Sequence, residues 1–323
     1  MGDVLLEVKH LKKYFPVGKK SKLHAVDDIN FTIERGKTLG VVGESGCGKS
    51  TMGRCVLRLI EPTEGEVWFD GQNICQLSKA KMRTLRKDMQ IVFQDPFSSL
   101  DPRKSVSQAI MEAVRTGKVM PGASKAELQE RVSELMDTVG LASRLANAYP
   151  HELDGGRRQR IGIARALAMN PKLIVCDEPV SALDVSIQAQ ILNLLEELQE
   201  RMGLTYIFIT HDLSVVNHFS DDIMVMYLGQ MVEKAPAEEL FANPLHPYTK
   251  ALLSAIPVPA VREKKERILL KGELTSPIDP SDECRFAKRC NCVCDKCAGG
   301  CPTLQEVSPG HFVACHLMAP ERA

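Results

Sequence analysis

Three short runs of apolar residues, none interrupted by a charge, mark strands along the chain. They are Leu39 to Val42, LIVC within KLIVCDEP, and YIFI within LTYIFITHD. In KLIVCDEP the four apolar residues lead into paired carboxylates, the pattern of a buried parallel strand that delivers acids at its C-terminal end. Two longer stretches repeat apolar residues every three or four positions. SKAELQERVSELMDTVGL predicts an amphipathic helix closed by Gly140, and AQILNLLEELQERMG predicts a second one packed on a sheet. KAKMRTLRKDMQ is basic and reads as a solvated helix face. After Pro257 the pattern breaks: VPAVREKKERILLKGELTSPIDPSD is charged, proline-punctuated and reads as a linker with one short strand.

The first strand runs into a glycine loop and then a helix, TLGVVGESGCGKSTMGRCVLRLI. Its centre, GESGCGKS, matches G-x-x-x-x-G-K-[ST] in the strand–loop–helix setting that gives the match meaning. Gly43, Gly46 and Gly48 let the backbone curl, so that N–H groups from Gly43 through Ser45, Cys47 and Thr51 face phosphates at a helix N-terminus. Lys49 would reach the β- and γ-phosphates of ATP, and the Ser50 hydroxyl would ligate Mg²⁺. At the end of KLIVCDEP, Asp177 would hold the Mg²⁺ shell. Glu178, one residue on, would polarise an attacking water. His211 follows the third strand, where a γ-phosphate contact is expected.

Composition narrows the function classes. Lys+Arg and Asp+Glu both number 41, so the net charge is zero and no nucleic-acid partner is expected from bulk charge. No apolar run approaches the roughly 18 residues needed to span a bilayer. The opening MGDVLLEVKHLKKYF breaks its apolar residues with charges and is not expected to be a signal peptide. Cys47, Cys55, Cys75 and Cys176 are scattered and read as reduced thiols used as small hydrophobes.

Between the two nucleotide motifs lies HELDGGRRQRIGIARALAMNP, and VSALD follows the acids. With these in order, residues 4 to about 257 resemble the ATP-binding subunit of an ABC transporter. LKKYFPV, VFQDPFSSLDPR and NPLHPYTKALLSAIP resemble the oligopeptide/dipeptide importer subfamily, and KYFPV with GESGCGKST resembles the "F" partner of its paired ATPases. The resemblance implies an α/β P-loop NTPase with an ABC-type RecA-like core, an antiparallel β subdomain and a helical subdomain at about 97–165. That ATP-binding domain would span 1–257, and a small Cys-rich C-terminal extension 258–323. It further implies that Phe15, or Tyr14 beside it, stacks on adenine, and that Gln94 touches Mg²⁺ or the attacking water. Asp184 would contact the opposite subunit. In this family each ATP lies between one subunit's phosphate loop and the other's signature, here Asp154, Gly155 and Gly156. The implied activity is ATP hydrolysis that powers import of peptides, by a subunit peripheral to the cytoplasmic face of the cell membrane. Its partners would be a paralogous ATPase (or a second copy), two transmembrane permease subunits and an extracytoplasmic substrate-binding protein. Nickel, opine and glutathione remain open as cargo, and a soluble non-transport ABC ATPase is the alternative class.

The signature departs from the family pattern. LSGGQ is usual, whereas this chain has LDGGR, with Asp154 and Arg157 replacing Ser and Gln. A carboxylate beside a phosphate is repulsive unless paired. Either a helical Asp154–Arg157 pair compensates, or the site built from this signature is weak and the complex runs mainly on the other.

The tail carries CRFAKRCNCVCDKCAGGC, residues 284 to 301, with Cys315 beyond. Cys284, Cys290, Cys297 and Cys315 resemble the family's C-terminal C-x5-C-x6-C…C-H extension, some members of which bind a [4Fe–4S] cluster. The resemblance makes these four its expected ligands, in a loop region with almost no hydrophobic core of its own. Cys292, Cys294 and Cys301 exceed that pattern. Cys294-Asp-Lys-Cys297 is a C-x2-C unit, which with His311 and His316 suits Zn²⁺ instead, and unligated thiols are the third reading.

Overall fold

The computed structural model describes residues 3–256, 267–272 and 275–318. The expected domain boundary at 257/258 and the first part of the expected linker lie outside the described residues. In chain order the elements begin with β1 (Val4–Val17), β2 (Ser21–Glu34), β3 (Thr38–Val42), α1 (Lys49–Val56), β4 (Glu64–Phe69), β5 (Gln72–Asn73) and α2 (Lys79–Leu85). Then come β6 (Met89–Val92), α3 (Val106–Gly117), α4 (Lys125–Thr138), α5 (Gly155–Leu167), β7 (Leu173–Asp177), α6 (Val185–Met202) and β8 (Thr205–Thr210). The remainder are α7 (Leu213–Phe219), β9 (Asp222–Tyr227), β10 (Gln230–Pro236), α8 (Ala237–Ala242), α9 (Pro247–Ser254), β11 (Gln305–Ser308) and β12 (His311–Val313). These elements divide between two compact units. One comprises residues 1–34, 38–75 and 210–323, the other 35–37 and 76–209.

In the first unit an antiparallel sheet runs β2-β1-β4-β5. β1 and β2 form a long hairpin whose turn uses Gly18 at φ 62°, a left-handed conformation that favours glycine. One face buries Leu6, Val8, Leu11, Ile29, Phe31, Val67 and Phe69. A second sheet of this unit runs β11-β12-β10-β9-β3, with β3 and β9 parallel and the others antiparallel. All five residues of β3 are buried, as an uncharged run in a two-sided parallel strand requires. α7 comes so close to β3 that a Cβ on Gly40 would sit 2.6 Å from Ser220 Oγ.

In the second unit β6, β7 and β8 are parallel, in the order β8-β7-β6. α4 begins at Ser124, whose hydroxyl accepts from the Glu127 N–H while Glu127 returns a bond to the Ser124 N–H, a reciprocal cap. It ends just before Gly140 at φ 67°, where the periodicity predicts. α6 buries Ile191, Leu194, Leu195 and Leu198 on one face. α2 buries Met82 alone, as expected of a solvated basic helix.

The C-terminal extension differs from expectation in two respects. The described part of the expected linker forms no strand of its own. Ile278 makes an isolated bridge with Leu23, flanked by His24 N–H to Pro277 O and by a reciprocal pair between Lys22 and Asp279. Proline at 277 and 280 prevents a longer ladder. The extension also has apolar anchors: Phe286, Val313 and Ala314 are buried. Phe286 meets Tyr227 edge-on at 5.2 Å and lies 5.4 Å from Tyr248, and β12 pairs with β10. The extension therefore belongs to the same compact unit as the phosphate loop.

Candidate functional site

The glycine loop lies between β3 and α1 in the first unit. Gly48, the N-cap of α1, has φ 106°, and a Cβ there would lie 2.0 Å from the Ala25 carbonyl oxygen. No side chain fits both that dihedral and that space. Lys49 is only 4% exposed, and its ammonium donates to the carbonyls of Gly43 at 2.7 Å and Glu44 at 3.0 Å. A buried, doubly held ammonium inside a curl of backbone amides is a cradle for a polyanion. Ser45 and Gly46 are exposed at the loop's rim, Ser50 and Thr51 are half-buried in the first turn of α1, and Cys47 is buried. Burial pushes the Cys47 thiol up, so it serves as packing.

The aromatic candidates separate at the hairpin. Tyr14 stacks on His24 with ring centres 3.9 Å apart, and its hydroxyl donates to Asp27. Burial works to raise the Asp27 pKa, but Tyr14, Arg285 and His24 together hold it below the usual carboxylate range. Phe15 takes the alternate side of the strand, where Lys13 Nζ lies 5.0 Å from its ring centre. His211 is exposed just past the end of β8, whose last residue is Thr210.

The second unit carries the acids. Asp177 closes β7 and is 2% exposed. Glu178 follows at φ 50°, an unusual conformation for a non-glycine residue, fixed by its N–H bond to Ile209 O at 2.9 Å. Gln94 Nε2 donates to Glu178 Oε2 at 2.9 Å, so the structure joins two predicted catalytic residues 84 positions apart. The signature opens α5. Asp154 is its N-cap: Oδ1 accepts from the Arg157 N–H at 2.8 Å, and Oδ2 lies 3.4 Å from Arg157 Nε. Asp154 thus supplies the cap that a serine would, and the pair is formed. A Cβ on Gly156 would lie 2.5 Å from Ile187 Cγ2, so this glycine is also required for close packing against α6. Asp184 is exposed at the N-cap of α6, where its side chain makes no cap bond.

In the extension, Cys284, Cys290, Cys297 and Cys315 share one neighbourhood. Burial first, and then Cys297, Cys301 and Cys315, push the Cys284 thiol up to about 12. Cys315 is raised by burial and then by Cys290, Cys297 and Cys294. Cys294 Sγ lies 3.6 Å from Cys297 Sγ. Among the described residues no three Cys, His, Asp or Glu side chains converge as a ready metal-holding group. The two histidines are engaged elsewhere. His311 is fully buried with Nε2 2.8 Å from Glu233 Oε1 and Nδ1 3.5 Å from Glu239, and His316 Nε2 donates to Gly300 O at 2.9 Å. Both ring nitrogens of His311 thus face carboxylates, which corrects the expectation that it completes a zinc site.

Sequence reasoning missed the polar ties from this extension to the nucleotide unit. Arg285 donates to Asp27 and Leu228 O, and Arg289 makes a two-pronged pair with Glu44. The acidic partners lie 258 and 245 residues away, so no local pattern reveals them.

Residues 26–181 match the ABC transporter family, and residues 232–297 match the oligopeptide/dipeptide transporter C-terminal region. The oligopeptide transport ATP-binding protein AppF of Bacillus subtilis (strain 168) is 53% identical over 98% of this chain and 98% of its own length. The chain belongs to the ATP-binding subunits of ABC transporters. The putative oligopeptide transport ATP-binding protein YkfD of the same organism is 52% identical over 97% of this chain and 95% of its own. Among solved structures, the ATP-binding cassette MJ0796 in a post-hydrolysis state bound to ADP and Pi aligns with TM-score 0.65 and 32% identity, covering 72% of this chain and 99% of that one. CbiO1 from Clostridium perfringens, part of the ABC transporter complex cbiONQ, gives TM-score 0.66 and 32% identity over 75% and 92%. The family gives the chain's activity as ATP hydrolysis.

Proposed function

We propose that this ATPase subunit powers import of oligopeptides or dipeptides across the cytoplasmic membrane. The observation that carries the reading is the buried Lys49 cradle, in a chain that matches oligopeptide transport ATP-binding proteins almost end to end. Lys49 reaches the β- and γ-phosphates, and the loop N–H groups from Gly43 to Thr51 donate to the remaining phosphate oxygens. Ser50, Asp177 and Gln94 would hold Mg²⁺, a hard cation that suits their oxygen donors and that, when bound, would neutralise phosphate charge. Glu178 takes the proton of the attacking water, its carboxylate oriented by Gln94. His211 contacts the γ-phosphate. Phe15 stacks on adenine, because Tyr14 is already committed to His24 and Asp27. Asp184 and the Asp154–Gly155–Gly156 signature face the second ATPase subunit, a paralogue, and the Asp154–Arg157 pair keeps that composite site active.

Among the described residues no helix is long and apolar enough to cross a membrane. By family, membrane attachment comes through two permease subunits, fed by an extracytoplasmic binding protein. We assign the permease contact to a groove of about 440 Å³ in the second unit, lined by Phe93, Glu112, Ala113, Thr116, Arg165 and Met169. The cysteine set suits a [4Fe–4S] cluster in donor chemistry: Cys284, Cys290, Cys297 and Cys315 are soft ligands whose mutual proximity a bound cation relieves. Such a cluster would order the extension. Zn²⁺ is the second reading, favoured by the Cys294–Cys297 contact.

The test is uptake of labelled peptides by cells that lack the chain and carry either the wild type or Glu178→Gln. Peptide uptake restored by the wild type alone supports the reading. Restored uptake of nickel, an opine or glutathione in its place refutes peptide as cargo. Iron and acid-labile sulfide near four each per chain, on anaerobically purified protein, supports the cluster. About one zinc without sulfide supports the second reading.

A further inference from the structure

Glu44, the second residue of GESGCGKS, is held at three points. Its N–H donates to the Tyr248 hydroxyl at 2.9 Å, and its carbonyl accepts from Lys49 Nζ at 3.0 Å. Its carboxylate receives both terminal nitrogens of Arg289, Nη1 to Oε2 at 2.5 Å and Nη2 to Oε1 at 3.0 Å. The Arg289 side chain is 10% exposed and that of Glu44 29%. Arg289 Nε continues to Lys271 O at 3.3 Å, and the guanidinium lies 5.9 Å from the ring centre of Tyr227. Tyr227 in turn meets Tyr248 edge-on at 4.8 Å. A planar fork on a carboxylate, backed by an aromatic face, fixes direction as well as charge.

A carboxylate in the loop that wraps a polyphosphate opposes ligand binding unless a cation answers it. Arg289 is that cation, and it comes from the cysteine-rich extension, at the end of a short turn that begins with the Ala287 N–H bonding to Cys284 O. We propose that Arg289 is a positioning residue for ATP. It cancels the Glu44 charge and holds the loop around Lys49, so the C-terminal extension is a working part of the nucleotide site. The inference rests on the assignment of the loop to ATP and goes beyond it.

The experiment uses the full-length chain, with equilibrium titration by a fluorescent ATP analogue and steady-state ATP turnover. Wild-type binding tests the underlying assignment, and the variants test the inference. Arg289→Gln is expected to weaken binding about tenfold and raise KM to match, with kcat changed by less than about twofold. Glu44→Gln alone leaves Arg289 unpaired beside the loop and should tighten binding about threefold. The double variant should return to within about threefold of wild type. An arginine that merely docks the extension predicts the opposite, a double variant no tighter than Arg289→Gln. That result, or an Arg289→Gln affinity within about twofold of wild type, overturns the proposal. Should Arg289→Gln fail to fold, Arg289→Lys carries the test, since it keeps the charge and loses the fork. A rise in Kd of about threefold supports the proposal and no rise overturns it.

Discussion

Acid should destabilise this protein through His246. His246 is 2% exposed and caps α9, its Nδ1 accepting from the Tyr248 N–H at 3.0 Å. Burial lowers its pKa to about 3, and a proton on Nδ1 would also set two donors against each other. The unfolded chain takes up that proton near the ordinary value of about 6.5. Between these values the unfolded state binds more protons, so stability is full above about pH 6.5 and falls as pH drops towards 3. From pH 7 to pH 5 the loss from this one group is about 2 kcal/mol. The assay is urea denaturation at pH 7, 6 and 5 of the wild type and His246→Asn. Asparagine can supply the cap oxygen and does not titrate. The variant is expected to be less stable at pH 7, because the smaller side chain leaves space, by about 1–2 kcal/mol. Its deficit should shrink by about 2 kcal/mol by pH 5. Parallel pH profiles for the two proteins would refute the reasoning.

Two further outcomes are expected. Glu178→Gln keeps the shape of the side chain but removes the base, so phosphate release by the assembled transporter should fall by about 10²–10⁴-fold while ATP binding is retained; a fall of less than about tenfold would remove Glu178 from the base role. Asp154→Ala should cost about 1 kcal/mol through the lost α5 cap, whereas Asp154→Ser should cost almost nothing. The exposed Asp154–Arg157 pair adds only a few tenths. Thermal melting checks the comparison, and equal melting of the two variants contradicts it.

The sequence by itself determined the local parts of the nucleotide site. Strand, glycine loop and helix are contiguous, so the positions of Gly43, Gly48 and Lys49 follow from a short-range pattern, and the acids at the end of KLIVCDEP follow likewise. The amphipathic periods of α4 and α6 were legible for the same reason: a 3.6-residue repeat is written in neighbouring residues. Family resemblance reached further and named Gln94 and the four tail cysteines, but as expectations about roles rather than contacts.

Tertiary structure alone decided which distant groups meet. It set Gln94 on Glu178 and took His311 from the cysteines to Glu233. It also brought Arg289 to Glu44 and Arg285 to Asp27, across 245 and 258 residues of chain. Both arginines stand next to cysteines of the C-x5-C unit, where the spacing gives them no partner, and a charge beside a cysteine in a loop reads as solvated until its partner is seen. The physical reason is that a pattern records which face of an element is apolar. A buried ion pair is defined by two side chains whose proximity exists only after the elements have packed.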